Sequence, residues 1–207
     1  MKKSLIALAV AGALTAPMVA QADATLYGSM RLHAGSGDNQ DLDISNDVSR
    51  MGIKGSVDTS IDGVKAIYRL EASIGAGDFA DAASQNEATF GVDGRLAYVG
   101  LTGGFGTVAL GQQWTPLYSF VTGATDMTIN ETGETSSYFR VDSAASYVTP
   151  NMGGFQAAAV VVSDGVDDSD HYQLAAKYAM AGLTVGLGMH EAGADAGTDV
   201  VALSAKY

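Results

Sequence analysis

Residues 95–120 read RLAYVGLTGGFGTVALGQQWTPLYSF, two alternating segments joined by a glycine-rich turn. In the first segment Arg95 and Val99 share one face, while Leu96 and Tyr98 share the other. The second segment alternates valine and leucine with small residues. A period of two that is bounded by glycine predicts a pair of strands whose two faces meet different surroundings. The polar residues that follow predict a long loop after the second strand.

The first 22 residues have the organisation of a secretory signal peptide. Lys2 and Lys3 precede an apolar segment, and Ala20-Gln21-Ala22 is a small-x-small cleavage site. The segment is too short and wrongly flanked for a membrane anchor. Cleavage after Ala22 would leave 185 of the 207 residues, enough for one domain with a core. We therefore expect an exported protein with a signal peptide at 1–22 and one domain at 23–207.

Composition narrows the class of fold and of partner. The chain has no cysteine, 26 glycines and three prolines, which suits many short strands with tight turns better than a helical or disulfide-linked fold. The formal charge of −12 becomes −14 once the two leader lysines are removed. Such acidity argues against a nucleic-acid partner. No spacing of residues predicts a cofactor, so none is expected.

Alternation continues along the rest of the chain and predicts ten strands. Outside the central pair, these strands cover residues 24–35, 49–58, 64–74, 140–149, 155–162, 171–178, 183–190 and 199–207. The connections alternate between short turns and longer polar loops. Short turns at one rim and long loops at the other are typical of a transmembrane antiparallel up-and-down β-barrel, which is the all-β fold that we predict.

The charged residues follow the same pattern. All nine basic residues after the leader fall opposite the larger apolar side chains: Arg31, Arg50, Lys54, Lys65, Arg69, Arg95, Arg140, Lys177 and Lys206. Of the 23 acidic residues, 18 lie in the five long connections or, like Asp199, at their edge. Exclusion of charge from one face is required where that face meets lipid. A soluble all-β domain stays open as an alternative, because a soluble sheet also tolerates lysine on its outer face.

Five stretches, in order, resemble the general diffusion porins of Gram-negative outer membranes. They are TLYGSMRL, SRMGIKGS, GVKAIYRLE, the 95–120 segment and RVDSAASYVTPNMGGF. The resemblance implies an outer-membrane channel for the passive diffusion of ions and small hydrophilic solutes, without enzymatic activity. It implies that the loop at about 115–139 folds into the pore. It also implies contacts with outer-membrane lipid and lipopolysaccharide, and a homotrimer for the full-length protein.

The resemblance also assigns residues to a pore constriction. The motif positions of the basic wall are occupied by Arg50, Arg95 and Arg140, with Arg31 as a fourth candidate, because Ser29 stands where family members commonly have lysine. The family's acidic motif after a proline is not matched at Thr115-Pro116-Leu117-Tyr118. The carboxylates available on the loop are Asp126, Glu131 and Glu134. We expect the three wall arginines to point inward at one height and to meet these loop carboxylates.

Other polar and aromatic residues receive less specific interpretations. His33, His171 and His190 are spread over three strands without ligand spacing, so we expect lumen or rim residues and no metal site. Aromatic residues near the short turns are interpreted as an interfacial girdle: Tyr98, Tyr147, Phe155, Tyr178 and Tyr207. Trp114, at the root of the long loop, is expected to pack that loop.

Length leaves two architectures open. Family porins have sixteen strands, whereas the pattern here predicts ten, and ten strands would scarcely enclose an infolded loop. We favour a partial porin sequence that forms an open, curved half-barrel whose first and tenth strands are free edges. The alternatives are a small closed ten-stranded barrel with a structural or adhesive role and, less favoured, an outer-membrane protease. For a full-length channel, the acidic loops predict a weak preference for cations, which the arginines would oppose.

Overall fold

The computed structural model describes residues 23–36, 42–46, 48–76, 90–124, 126, 139–163, 165, 171–193 and 198–207. The leader, Glu131 and Glu134 lie outside these ranges. The strands are β1 (Asp23–Ser29), β2 (Leu32–Gly35), β3 (Asp43–Asn46), β4 (Arg50–Asp58), β5 (Lys65–Ala76), β6 (Phe90–Gly103), β7 (Gly106–Trp114), β8 (Arg140–Val141), β9 (Ala144–Val148), β10 (Phe155–Val162), β11 (His171–Met180), β12 (Leu183–Glu191) and β13 (Val200–Lys206). One short helix, α1 (Pro116–Phe120), and a single 3₁₀ turn follow β7. No helix in the described part of the chain is long and apolar enough to cross a membrane.

Ten strands form one antiparallel sheet, in the order β1-β4-β5-β6-β7-β9-β10-β11-β12-β13, and β8 joins it beside β7. This order confirms the ten predicted strands. Within the described residues, β1 and β13 pair on one side only, so the sheet is open and these strands are its edges. The expected open architecture is therefore confirmed, and the closed ten-stranded barrel is not the structure observed.

Two predicted strands are each broken in two. The first ends at Ser29, and β2 leaves the main sheet to pair with β3 in a separate hairpin. Ser49, which is fully buried, holds this break because its hydroxyl accepts from the amide of Arg31 and donates to the carbonyl of Arg31. The sixth predicted strand is interrupted at Ser143, whose φ of 48° is incompatible with a strand. Its first part, β8, pairs with the end of β7.

The two faces of the sheet have the polarity of a membrane protein. Large apolar side chains are exposed on the outer face, among them Leu26, Leu70, Val99, Leu110, Val161, Leu174, Leu187, Val201 and Leu203. The alternate residues on the inner face include buried polar ones: Glu71, Arg95, Gln113, Gln173, His190 and Ser204. A soluble sheet would expose the second set and bury the first. The arrangement is that of a transmembrane sheet with lipid on the outside and a polar interior.

A β-bulge in β6 changes the predicted faces of that strand. Glu71 pairs with Leu96 and Ala72 with Gly94, so Arg95 has no partner of its own. Arg95 and Leu96 are consecutive and both buried. Beyond the bulge the alternation is reversed relative to Arg95, because an inserted residue moves every later side chain to the other face.

The girdle prediction is therefore wrong for Tyr98, which lies on the inner face directly opposite Arg69. The other four aromatic residues are exposed. Phe155 and Tyr178 are direct cross-strand neighbours, and the hydroxyl of Tyr147 donates to the carbonyl of Phe105 in the short turn. Aromatic side chains at this rim suit the interface between membrane and water.

The described start of the loop after β7, residues 115–124, packs on the inner face of the sheet. Helix α1 begins after Thr115, whose hydroxyl accepts from the amide of Tyr118, and Pro116 occupies a position at the start of the helix where no amide is needed. Its apolar side packs against β10, β11 and β12. The resulting cluster of buried residues comprises Leu117, Phe120, Val121, Ala158 and Ala175. The loop thus starts at one strand and rests on others several positions further along the sheet.

Candidate pore constriction

The candidate constriction is built around Trp114, the last residue of β7, from which the loop begins. Its ring stacks on that of Tyr118, with centroids 4.6 Å apart. Tyr118 in turn meets Phe139 edge-on at 5.1 Å. The amide of Thr115 donates to the carbonyl of Phe139 across 3.0 Å, so the two ends of the loop are joined at its root. These contacts fix the aromatic cluster against the inner wall.

Two of the three predicted wall arginines lie beside the ring of Trp114. The guanidinium carbon of Arg140 lies 5.0 Å from the centre of the Trp114 ring, and that of Arg95 lies 5.9 Å from it. The pKa of Tyr118 is raised, because burial and the hydrogen bond to Asp126 outweigh the opposing effect of the positive charges of Arg50 and Arg140. The structure therefore brings Arg95 and Arg140 to the ring of Trp114, while Arg50 lies on the same inner face in β4.

A wall carboxylate, Glu71, holds the base of this cluster. It accepts hydrogen bonds from Nε of Arg95 at 2.8 Å, from a terminal nitrogen of Arg69 at 2.8 Å and from the hydroxyl of Tyr27 at 2.7 Å. Gly52 makes the last contact possible, because a side-chain carbon there would lie 2.6 Å from the tyrosine ring. Glu71 is thus fully occupied by two cations and a phenol.

The expected partners on the loop are placed differently. The carboxylate of Asp126 accepts from the hydroxyl of Tyr118 at 3.0 Å, and it takes part in no ion pair with a described residue. Glu131 and Glu134 lie outside the described residues. Arg31 is exposed in the bend after β1, and no ion pair or ring contact of the described residues involves it. For Arg95 the counter-charge is therefore on the wall.

The chain matches the model of the Gram-negative porin family over residues 7–207. This chain belongs to that family. It is 33% identical over 178 residues to outer membrane porin protein 32 of Delftia acidovorans, covering 76% of this chain and 48% of the relative. It is 29% identical over 182 residues to major outer membrane protein P.IB of Neisseria gonorrhoeae, covering 76% and 47%.

A solved structure shows the same porin fold. The anion-selective porin from Comamonas acidovorans superposes with a TM-score of 0.65 at 22% identity, covering 89% of this chain and 63% of that one. The chain spans about half the length of its curated relatives. Family membership and the named relatives place the protein in the outer membrane.

Within this porin sheet the inner wall carries more positive than negative charge. Besides the three constriction arginines, Arg69 and Lys54 lie on the inner face, and Nζ of Lys54 is 5.5 Å from the centre of the Tyr27 ring. The described carboxylates on the same face and on the loop are Glu71, Asp93 and Asp126, together with Asp23 and Asp58 near the short-turn rim. The described part of the constriction therefore has a net positive charge.

Sequence reasoning missed Glu71, and it missed the role of Trp114 as a partner of the arginines. The signal for Glu71 was present, because it is a carboxylate inside a strand and on the basic face. His171 and His190 are far apart in the sequence and on separate strands, yet their ring centres are 5.4 Å apart. In the part of the chain that the structure describes, no three potential ligands form a metal-binding group.

Proposed function

We propose that the full-length protein is a porin whose water-filled channel allows passive diffusion of ions and small hydrophilic solutes. The observation that carries this proposal is the inner wall, where a cluster of arginines faces an infolded loop. Fixed charges on opposite sides of a narrow aqueous passage orient water and favour polar solutes over apolar ones. The apolar outer face keeps the same structure in lipid.

The contacts of the charged residues favour a channel over an enzyme. Glu71 is occupied by Arg69, Arg95 and Tyr27, while Asp126 is held by Tyr118. Groups held in this way supply a permanent field, whereas acid–base catalysis needs a group placed to exchange a proton with a substrate. We therefore propose a non-enzymatic role, and a homotrimer surrounded by outer-membrane lipid and lipopolysaccharide for the full-length form.

The net positive charge of the constriction favours anions. This proposal differs from the weak cation preference expected from the acidic loops, because the narrowest part of a pore has the strongest influence on permeating ions. The anion selectivity of the Comamonas acidovorans relative supports it. Reversal potentials in a gradient of KCl would show the sign, and a cation preference would contradict it.

Conductance and solute uptake test the channel itself. Full-length protein purified from outer membranes is inserted into planar bilayers and, separately, into liposomes placed in solutions of sugars of increasing size. We expect stepwise ionic currents, and swelling rates that fall as the sugar grows. A correctly folded protein that conducts no ions and admits no sugar would overturn the proposal and favour the structural or adhesive alternative.

A further inference from the structure

The inner face of β11 and β12 is shaped to receive helix α1. A side-chain carbon on Gly186 would lie inside contact distance of the carbonyl oxygen of Phe120. A side-chain carbon on Gly188 would lie 2.7 Å from a methyl group of Leu117. The helix therefore approaches the sheet as closely as the backbone allows, at two glycines one strand period apart.

Glycine is required at these two positions by close approach, most tightly to α1 and less tightly to the neighbouring strands. Neither Gly186 nor Gly188 has a positive φ, and both lie in the middle of β12. Alanine would fit the strand conformation at either position. Moreover, glycine weakens a strand interior. Two glycines on the face that meets α1 therefore indicate that close packing of the helix matters more here than the stability of the strand.

Two polar side chains of β11 complete this seat. Gln173 is completely buried, and its Oε1 accepts from the amide of Leu117 across 3.2 Å. That amide belongs to the first turn of α1, where amides have no partner within the helix. Nζ of Lys177 lies 4.4 Å from the centre of the Phe120 ring, within the range of a cation–π contact. We call Gln173, Lys177, Gly186 and Gly188 the loop seat.

We propose that the loop seat positions the constriction and so sets the width of the pore. This role of the loop seat rests on the proposed channel function. Helix α1 connects the seat to Trp114 through the stacked ring of Tyr118. Because α1 is one compact turn, a shift at Phe120 is transmitted to the aromatic cluster and to the arginines around it. The members of the seat are positioning residues, since none of them lies among the constriction arginines.

A single added methyl group tests the seat. In Gly186→Ala the new carbon forces the carbonyl of Phe120 away from the wall and towards the lumen, so we expect a loss of single-channel conductance and a shift of Trp114 emission. Trp114 is the only tryptophan in the chain, which makes the fluorescence specific. Gly104→Ala is the matched control, because nothing lies within 4 Å of that position. Wild-type conductance and emission in folded Gly186→Ala would overturn the proposal.

A cross-link tests the same contact without any dependence on conduction. These 207 residues contain no cysteine, so the pair Leu117→Cys and Gly188→Cys introduces two thiols into a region that has none. We expect this pair to form a disulfide under mild oxidation, seen as a shift in gel mobility, and the pair Leu117→Cys and Gly104→Cys to form none. Absence of the first cross-link in folded protein would overturn the proposal. If the cross-link forms but the wild-type protein conducts nothing, the channel function is refuted and the seat is left intact.

Discussion

Arg95 donates from Nε to Oε1 of Glu71 across 2.8 Å, and both side chains are almost completely buried. The contact places a charge of each sign in the inner wall next to the root of the loop. Arg95 reaches this position because it is the extra residue of the bulge in β6. The ion pair therefore depends on the β-bulge, which turns Arg95 towards Glu71, as well as on the attraction between the two charges.

The first prediction concerns the stability of this pair. Glu71→Ala leaves two arginines without their counter-charge, and removing one partner of a buried ion pair costs about 3–5 kcal/mol. We expect a loss of this size in the free energy of unfolding, measured by urea titration with Trp114 fluorescence. Asp58→Ala is the control, because Asp58 and Lys65 form an exposed pair that is worth less than about 1 kcal/mol. Equal losses in the two variants would contradict the prediction.

The second prediction concerns ion selectivity. Arg140→Gln removes one positive charge from the constriction, so we expect the reversal potential in a KCl gradient to move towards cation preference. The shift should be larger at low salt, because screening of charges weakens as the Debye length grows to about 30 Å at 0.01 M. Lys65→Gln changes the net charge equally but at the exposed short-turn rim. An equal shift in Lys65→Gln would show that position in the pore has no influence.

The third prediction concerns the width of the constriction. Trp114→Ala removes a large ring and the stacking contact with Tyr118, which is worth about 0.5–1.5 kcal/mol. We expect a higher single-channel conductance, because the side chain no longer occupies the passage and the loop is held less firmly. Tyr147→Ala, on the outer face, should leave the conductance unchanged. Unchanged conductance in Trp114→Ala would place the narrowest zone elsewhere.

The fourth prediction tests which face of β6 meets lipid. Val99 is 61% exposed on the outer face, while Tyr98 faces the lumen opposite Arg69. We expect Val99→Arg to lose up to about 2–4 kcal/mol of folding free energy in lipid vesicles. Tyr98→Arg should lose only about 1 kcal/mol, the repulsion of two charges in water. A greater loss for Tyr98→Arg would show that the bulge does not reverse the faces.

Much of the fold was determined by the sequence itself. Alternation of apolar and polar residues, glycine turns and the placement of all basic residues on one face predicted ten antiparallel strands with lipid on one side. These features are local, because the side chains of a strand alternate with a period of two whatever its neighbours are. The wall positions of Arg50, Arg95 and Arg140 came from motifs that are also local. The aromatic girdle followed for every residue but Tyr98.

Only the tertiary structure decided how the strands are registered and what the charged residues contact. The bulge at Arg95 depends on the pairing of β5 with β6, and it reversed the faces assigned to Leu96 and Tyr98. The choice of Glu71 as the partner of Arg95 depends on that register. The seat for the loop joins residues that are more than fifty positions apart, such as Leu117 and Gln173. Such contacts form because strand pairing brings segments that are distant in the sequence to one inner face. Gly186 and Gly188 are needed chiefly because α1 packs against them, which the local sequence does not reveal.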